Sequence, residues 1–170
     1  MKSTPAPLDD SRMRSLVGYR LAQAGAAANR VFDECLGKPL ALRRVDYTIL
    51  VLVDANHATT NRQLARVLGL SMPYLTVTLD KLSAKGLLTR VPNDNDRRSS
   101  LLRLSRQGKK LVREADAIAA TMESGLLGRL TQGEAAILFE LLDKMSSPRH
   151  PHPPAAHPER GNAHVTVPTL

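Results

Sequence analysis

The chain has 170 residues, 42% of them apolar but only 3% aromatic and none Trp, so Leu, Val, Ala and Ile must fill the core, which suits packed helices better than a sandwich of sheets. A single cysteine excludes an internal disulfide framework, no apolar run approaches the roughly 20 residues that cross a bilayer, and Met1 to Arg12 lacks the apolar centre of a secretory signal, so a cytoplasmic protein is expected. The net charge of +8 is concentrated: Lys85 to Arg113 holds nine basic residues against two acids. Such a stretch is an ordinary solvated face unless a binding motif adjoins it, in which case it is the footprint of a polyanion.

Residues 1–8 read as a loose leader. Asp9, Asp10 and Ser11 offer capping chemistry before a long periodic segment. Leu16, Leu21, Ala24, Ala27, Ala28, Val31 and Cys35 then fall at three- and four-residue steps. This predicts one helix of about six turns, spanning about 11–36, with a small-residue face that another helix can approach closely. Gly37 and Pro39 end it. Val45–Val53 predicts the second helix, with Tyr47, Leu50, Val51 and Val53 buried and no evident cap at Arg43 or Arg44.

Thr60 and Gln63 have the spacing of a capping box and open the third helix. Leu64, Val67 and Leu68 form its apolar stripe, Ala65 is small where the next helix crosses, and Gly69 makes the turn. Ser71 is placed to cap the fourth helix, and Pro73 sits in its first turn, where no backbone donor is missed. Leu75, Leu79 and Leu82 face inward. Met72, Pro73, Tyr74, Thr76, Val77 and Lys81 are then left outward, whereas Asp80 is read as turned back toward an arginine. That outer face suits a DNA groove, where methyls meet thymine and hydroxyls meet bases or phosphates. Gly86 closes the helix.

Leu87–Val91 and Ser99–Leu104 predict two strands around the turn Pro92–Asp96, with Arg97 and Arg98 at the tip. One arginine is expected to be braced by Asp96 and the other to enter a narrow minor groove. Ser105 caps the fifth helix, which carries Leu111, Ala115, Ile118, Ala119, Met122, Leu126 and Leu127. Thr131 and Glu134 form a second capping box before a sixth helix with Ile137, Leu138, Leu141, Leu142 and Met145. Residues 148–170 are rich in Pro, His and Ala without apolar period, and are expected to be disordered. Prolines separate the four histidines there, so no metal site is expected.

The predicted architecture is mainly α, a winged helix-turn-helix in the order α1-α2-α3-α4-β-β-α5-α6. Its DNA-reading lobe spans about 42–104 within a domain of 9–147. The helices at about 11–36 and 105–147 carry more apolar surface than such a unit buries, and are expected to pair two copies. The DNA contacts expected are Ser71, Pro73, Tyr74, Thr76, Val77, Lys81, Arg97 and Arg98.

With these pieces in order the sequence resembles the MarR family of bacterial transcription regulators from Arg12 to Met145. The resemblance rests on QLARVLGLS, LTVTLDKLSAKGLLTR and DNDRRSSLLRLSRQG. Within them stand Leu64-Ala65, Lys85-Gly86-Leu87, Asp96-Arg97-Arg98, and Leu104-Ser105 with Gly108. Ser105 replaces a common Thr and Arg43 a frequent capping Thr. The resemblance implies a homodimeric, ligand-responsive repressor on a pseudopalindromic operator, with Arg98 before Arg97 in the minor groove. It also implies a small aromatic acid or phenol as effector, for which Tyr19, Arg20, Asn29 and His57 are the candidates, each with a plainer role as a surface, interface or loop residue.

Two alternatives remain open at this point. One is a non-specific architectural DNA-binding protein, which would use the same basic patch. The other is a thiol-based redox-sensing regulator acting through Cys35. A helix C-terminus disfavours the thiolate, so Cys35 is expected to be a buried or passive thiol. No paired carboxylates with supporting groups, Ser-His-Asp set or phosphate-binding glycine loop is present, and neither catalysis nor a cofactor is expected.

Overall fold

Capping chemistry and glycine turns place most of the element boundaries. In the computed structural model, residues 8–93 and 99–146 are described. The leader to Pro7, the hairpin tip with Asp94, Asp96, Arg97 and Arg98, and the tail from Ser147 lie outside them. The chain divides into two compact units, Met1–Arg129 and Leu130–Leu170.

The first unit opens on a turn rather than on a helix. Asp9 Oδ1 accepts from the Ser11 amide (2.9 Å), and Asp10 Oδ1 accepts from Arg14 Nε (2.7 Å). The two carboxylates expected to cap the first helix are spent on this turn. Helix α1 (Val17–Phe32) begins after Leu16 with no side-chain cap. It continues as a wider π-helical turn at Asp33–Gly37, where the Lys38 amide reaches back five residues to the Asp33 carbonyl (2.9 Å). The single long helix of the sequence reading is therefore a helix that changes pitch near its end. Ala41 follows at φ +49°, the one non-glycine residue with positive φ among the described residues. Lys85 Nζ donates to its carbonyl (3.2 Å).

Helix α2 (Arg44–Ala55) starts with a cap that the sequence reading missed. Asp46, in the third helical position, accepts from the Arg43 backbone amide (3.2 Å) and from its guanidinium at 2.9 and 2.6 Å. The carboxylate reaches back from inside the helix, so the residue at the cap itself need not be Ser or Thr. Asp46 is buried, which its two-pronged arginine partner makes tolerable. That hydrogen bonding also raises the Arg43 pKa.

Strand β1 (Thr59–Thr60) is a two-residue element with no counterpart in the sequence reading. It leads directly into α3 (Asn61–Leu68), and α4 (Met72–Ala84) follows the Gly69 turn. Strands β2 (Leu88–Pro92) and β3 (Ser100–Leu104) form the hairpin, and β1 pairs antiparallel with the far side of β3, giving the order β1-β3-β2. Helix α5 (Arg106–Leu127) completes the unit.

The core is aliphatic, as the composition requires. Ile49, Leu50 and Val53 of α2 meet Leu64 of α3, Leu75, Leu79 and Leu82 of α4, Leu102 of β3 and Val112 of α5. Ile49, absent from the predicted buried set, is fully buried, whereas Tyr47 and Val51 are only half-buried. Val67 corrects the predicted α3 stripe: Leu64, Ala65 and Leu68 fill the core side of this two-turn helix, and Val67 is 69% exposed. Tyr47 packs on Phe32 (ring centroids 5.9 Å apart), and its hydroxyl donates to Asp116 Oδ1 (3.0 Å). Burial and this bond push its pKa up to about 12.

The second unit holds α6 (Gln132–Ser146). Its start is the predicted capping box. Thr131 Oγ1 accepts from the Glu134 amide (3.3 Å), and the Glu134 carboxylate accepts from the Thr131 amide (2.8 Å). Those bonds hold the Glu134 carboxyl below the usual range.

Candidate nucleic-acid interface

Three local devices fix the outer surface of α4. At the start of α3, Thr60 Oγ1 accepts from the Gln63 amide (3.3 Å), and Gln63 Oε1 accepts from the Thr60 amide (2.9 Å), so the predicted capping box is formed. Gly69 then adopts φ +62°, a left-handed conformation that costs glycine little, and the Leu70 amide returns to the Ala65 carbonyl (3.0 Å). Ser71 has the extended backbone of a cap residue, but its hydroxyl makes no capping bond. At the other end Gly86 takes φ +69°, and the Leu87 amide bonds back to Leu82 (3.0 Å).

The helix held this way has two different sides. Leu75, Thr78, Leu79 and Leu82 are buried. Opposite them Ser71, Met72, Pro73, Tyr74, Val77 and Lys81 are exposed, Tyr74 to 45% and Val77 to 53%. Thr76 is half-buried and its hydroxyl donates to the Met72 carbonyl (2.9 Å). The arginine partner read for Asp80 from the sequence is present, but Asp80 meets it from the exposed side of α4. It is 58% exposed and pairs with Arg90 of β2 across 2.6 Å.

A groove of about 710 Å³ lies between the starts of α3 and α4 and the tip-side ends of the hairpin strands, and Thr60, Asn61, Arg62, Met72, Asn93 and Ser100 line it. Asn61 Oδ1 is buried without a hydrogen-bond partner among the described residues. Exposed cations continue from the hairpin into α5 at Arg103, Arg106, Lys109, Lys110 and Arg113. None of these five forms an ion pair among the described residues.

The hairpin is anchored to α5 at one junction. Ser105 Oγ accepts from the Gly108 amide (2.9 Å) and donates to the Gly86 carbonyl (2.6 Å), while its own amide bonds to Leu87 (3.0 Å). A Cβ on Gly108 would lie 2.2 Å from the Leu87 carbonyl oxygen, so only glycine allows α5 to cross here.

Of the four effector candidates, two come together. Tyr19 and Arg20 line an open cleft of about 320 Å³ with Asp10, Arg14 and Gln23. The Tyr19 hydroxyl donates to Asp10 Oδ2 (2.8 Å), and Arg20 Nε donates to the Arg14 carbonyl (2.5 Å). The Asp10 carboxylate pushes the Tyr19 phenol pKa up, and the bonds from Tyr19 and Arg14 hold Asp10 low. Asn29, half-buried on α1, and His57, exposed after α2, do not line that cleft. Cys35, expected to be a buried or passive thiol, is exposed rather than buried, and it lines a mainly apolar groove with Val31, Ile118 and Met122.

Residues 42–100 match the MarR family. The transcriptional repressor CouR bound to a 23-mer DNA duplex superposes with a TM-score of 0.77 at 28% identity, over 84% of this chain and all of that one. A mutant MarR from E. coli complexed with operator DNA superposes at 0.73 with 26% identity, over 84% of this chain and 100% of that one. The regulator PcaV from Streptomyces coelicolor, solved with its natural ligand, shares the fold at 0.71 and 23% identity, over 83% and 96% of the two chains.

Residues 42–100 are thus a MarR-like segment, and the chain shares its fold with DNA-bound MarR regulators. The wing motif read at Asp96-Arg97-Arg98, with its minor-groove arginines, lies outside the described residues. Other elements of the MarR reading acquire a physical reason. Gly86 supplies a left-handed turn, Ser105 ties the hairpin to α5, and Gly108 permits a close crossing. The sequence reading missed Asn61 and Arg62 at the start of α3 and Ser100 at the start of β3, about forty residues later. Only the β1–β3 pairing (Thr59 opposite Leu102, Thr60 opposite Leu101) brings them to one groove.

Proposed function

We propose that this chain is a MarR-family, sequence-specific regulator that binds a pseudopalindromic operator as a homodimer, represses from it, and releases it on binding a small aromatic acid or phenol. The observation that carries the reading is the division of α4. Its leucines are buried, and Tyr74, Val77 and Lys81 stand outward beside a basic surface. The DNA-bound relatives CouR and MarR support it at the level of kind. Pairing of two copies is supported by the apolar residues exposed on a single chain, Leu16, Val17 and Leu21 at α1 and Ile137, Phe139 and Leu141 on α6. The ligand response is supported by the cleft at Tyr19 and Arg20, where guanidinium and phenol groups suit a carboxylate or hydroxyl.

The test is selection of bound duplexes from a random pool with the purified chain, with and without hydroxybenzoates. The reading expects a symmetric site with half-sites about one helical turn apart. It also expects a preference over random duplex of roughly 10³ or more. A ratio near unity would replace it with non-specific architectural binding. Arg98→Ala is expected to weaken operator binding while leaving the oligomeric state unchanged.

A further inference from the structure

Asp80 stands three residues after Val77 and four after Thr76, so it shares their side of α4. A carboxylate on a surface that approaches phosphates opposes binding, so its presence there calls for a reason. The structure supplies two facts about it. Arg90 Nη2 donates to Oδ1 at 2.6 Å, which fixes the direction of the side chain from the neighbouring strand. Oδ2 makes no hydrogen bond among the described residues, and both partners are open to solvent, Asp80 at 58% and Arg90 at 42%.

We propose that Asp80 is a specificity-determining residue, an acceptor held in place by Arg90 for the exocyclic amino group of a cytosine in the major groove. The proposal rests on the reading of α4 as the groove-entering helix. Cytosine presents a lone N4 donor in that groove, the partner of Asp and Glu side chains. Guanine presents two acceptors and thymine one, so an ionised carboxylate facing them is unpaired and repelled. Selectivity of this kind comes from the penalty at wrong sites as much as from the bond at the right one. Arg90 contributes twice. It cancels the charge while the protein is off its site, and it removes rotamer freedom that binding would otherwise have to freeze. The pair joins two exposed side chains, so it adds little to folding stability and can be removed without unfolding the protein.

The test compares wild type with Asp80→Ala and Asp80→Asn in duplex selection, and measures affinity for one fixed random duplex across a salt series. Wild type is expected to select a C·G pair at one position of each half-site. Asp80→Ala is expected to lose that preference and to bind the random duplex several-fold tighter. Its salt slope is expected to steepen by about 0.9, as the released Arg90 reaches a phosphate. Asp80→Asn is expected to shift the preference toward adenine, which pairs with an amide through N6 and N7. A wild type that selects no site overturns the sequence-specific reading, and the role of Asp80 falls with it. A wild type that selects a site while Asp80→Ala selects the same one at every position overturns the role of Asp80 alone, as does an unchanged or weaker affinity for the random duplex. Thermal melting of each variant separates these outcomes from misfolding.

Discussion

Helices α1 and α4 both carry apolar residues into solvent, but their settings differ. On α4 four residues are buried, and the exposed Tyr74 and Val77 stand apart among Thr76, Asp80 and Lys81. On α1 only Phe32 is buried, and the exposed Leu16, Val17 and Leu21 follow Met13 as a near-continuous strip. Interspersed apolar and polar groups on a well-anchored helix suit a partner read by both methyls and hydrogen bonds. A strip with one buried residue to hold it suits another apolar surface. The difference teaches that exposure alone does not identify a site; what matters is the anchoring behind it and the company beside it.

Gly108→Ala tests the anchoring most severely. The added methyl would meet the Leu87 carbonyl at 2.2 Å, and a loss of about 3 kcal/mol is expected, read as a lowered urea midpoint. A normal midpoint would mean that α5 is not locked to the hairpin and that α4 is less rigidly presented than α1 is. Leu21→Glu tests the strip in the opposite sense. It should leave the melting of a single chain within about 0.5 kcal/mol, as for other surface changes, yet shift the population from dimer toward monomer in sedimentation velocity. Unaltered sedimentation would remove α1 from the pairing surface.

Tyr47→Phe probes the contact between α2 and α5, and about 1 kcal/mol should be lost near neutral pH with the bond to Asp116. The folded phenol has its pKa raised to about 12 against 10 in the unfolded chain, so the neutral form is favoured by folding. That contribution is fully present below pH 10 and is lost as pH rises through about 12. Urea midpoints should therefore converge for wild type and variant across that window, and a constant gap would mean that the phenol does not titrate as its burial implies. The smallest effect is expected from Arg62→Ala at the groove between α3 and the hairpin. If a phosphate sits there, the salt slope should flatten by about 0.9, equally for selected and random duplexes. An unchanged slope would leave the groove without a place in binding.

Much of this was legible wherever the determining chemistry is local. The boxes at Thr60–Gln63 and Thr131–Glu134 need only residues three apart, and Gly69 and Gly86 mark left-handed turns that other residues adopt at a cost. The inward leucines of α4 follow from helical spacing alone. What escaped was settled by contacts distant in the chain, or by chemistry approached from the other side. Strand β1 is two residues long and exists because β3, some forty residues later, offers it an edge. The start of α2 looked uncapped because its carboxylate, Asp46, lies inside the helix. Asp80 has the arginine partner expected of it, but its spacing from Thr76 and Val77 puts it outward rather than back. The ion pair with Arg90 forms without turning the carboxylate away from that side.

The short β1 has one more consequence. A sheet's outer strands leave unpaired amides and carbonyls that a stranger's chain can extend. Here one margin is two residues wide and runs at once into α3, while the other ends in Pro92, which has no amide hydrogen to give. Both margins of the sheet are thereby shortened as templates on which neighbouring molecules could aggregate.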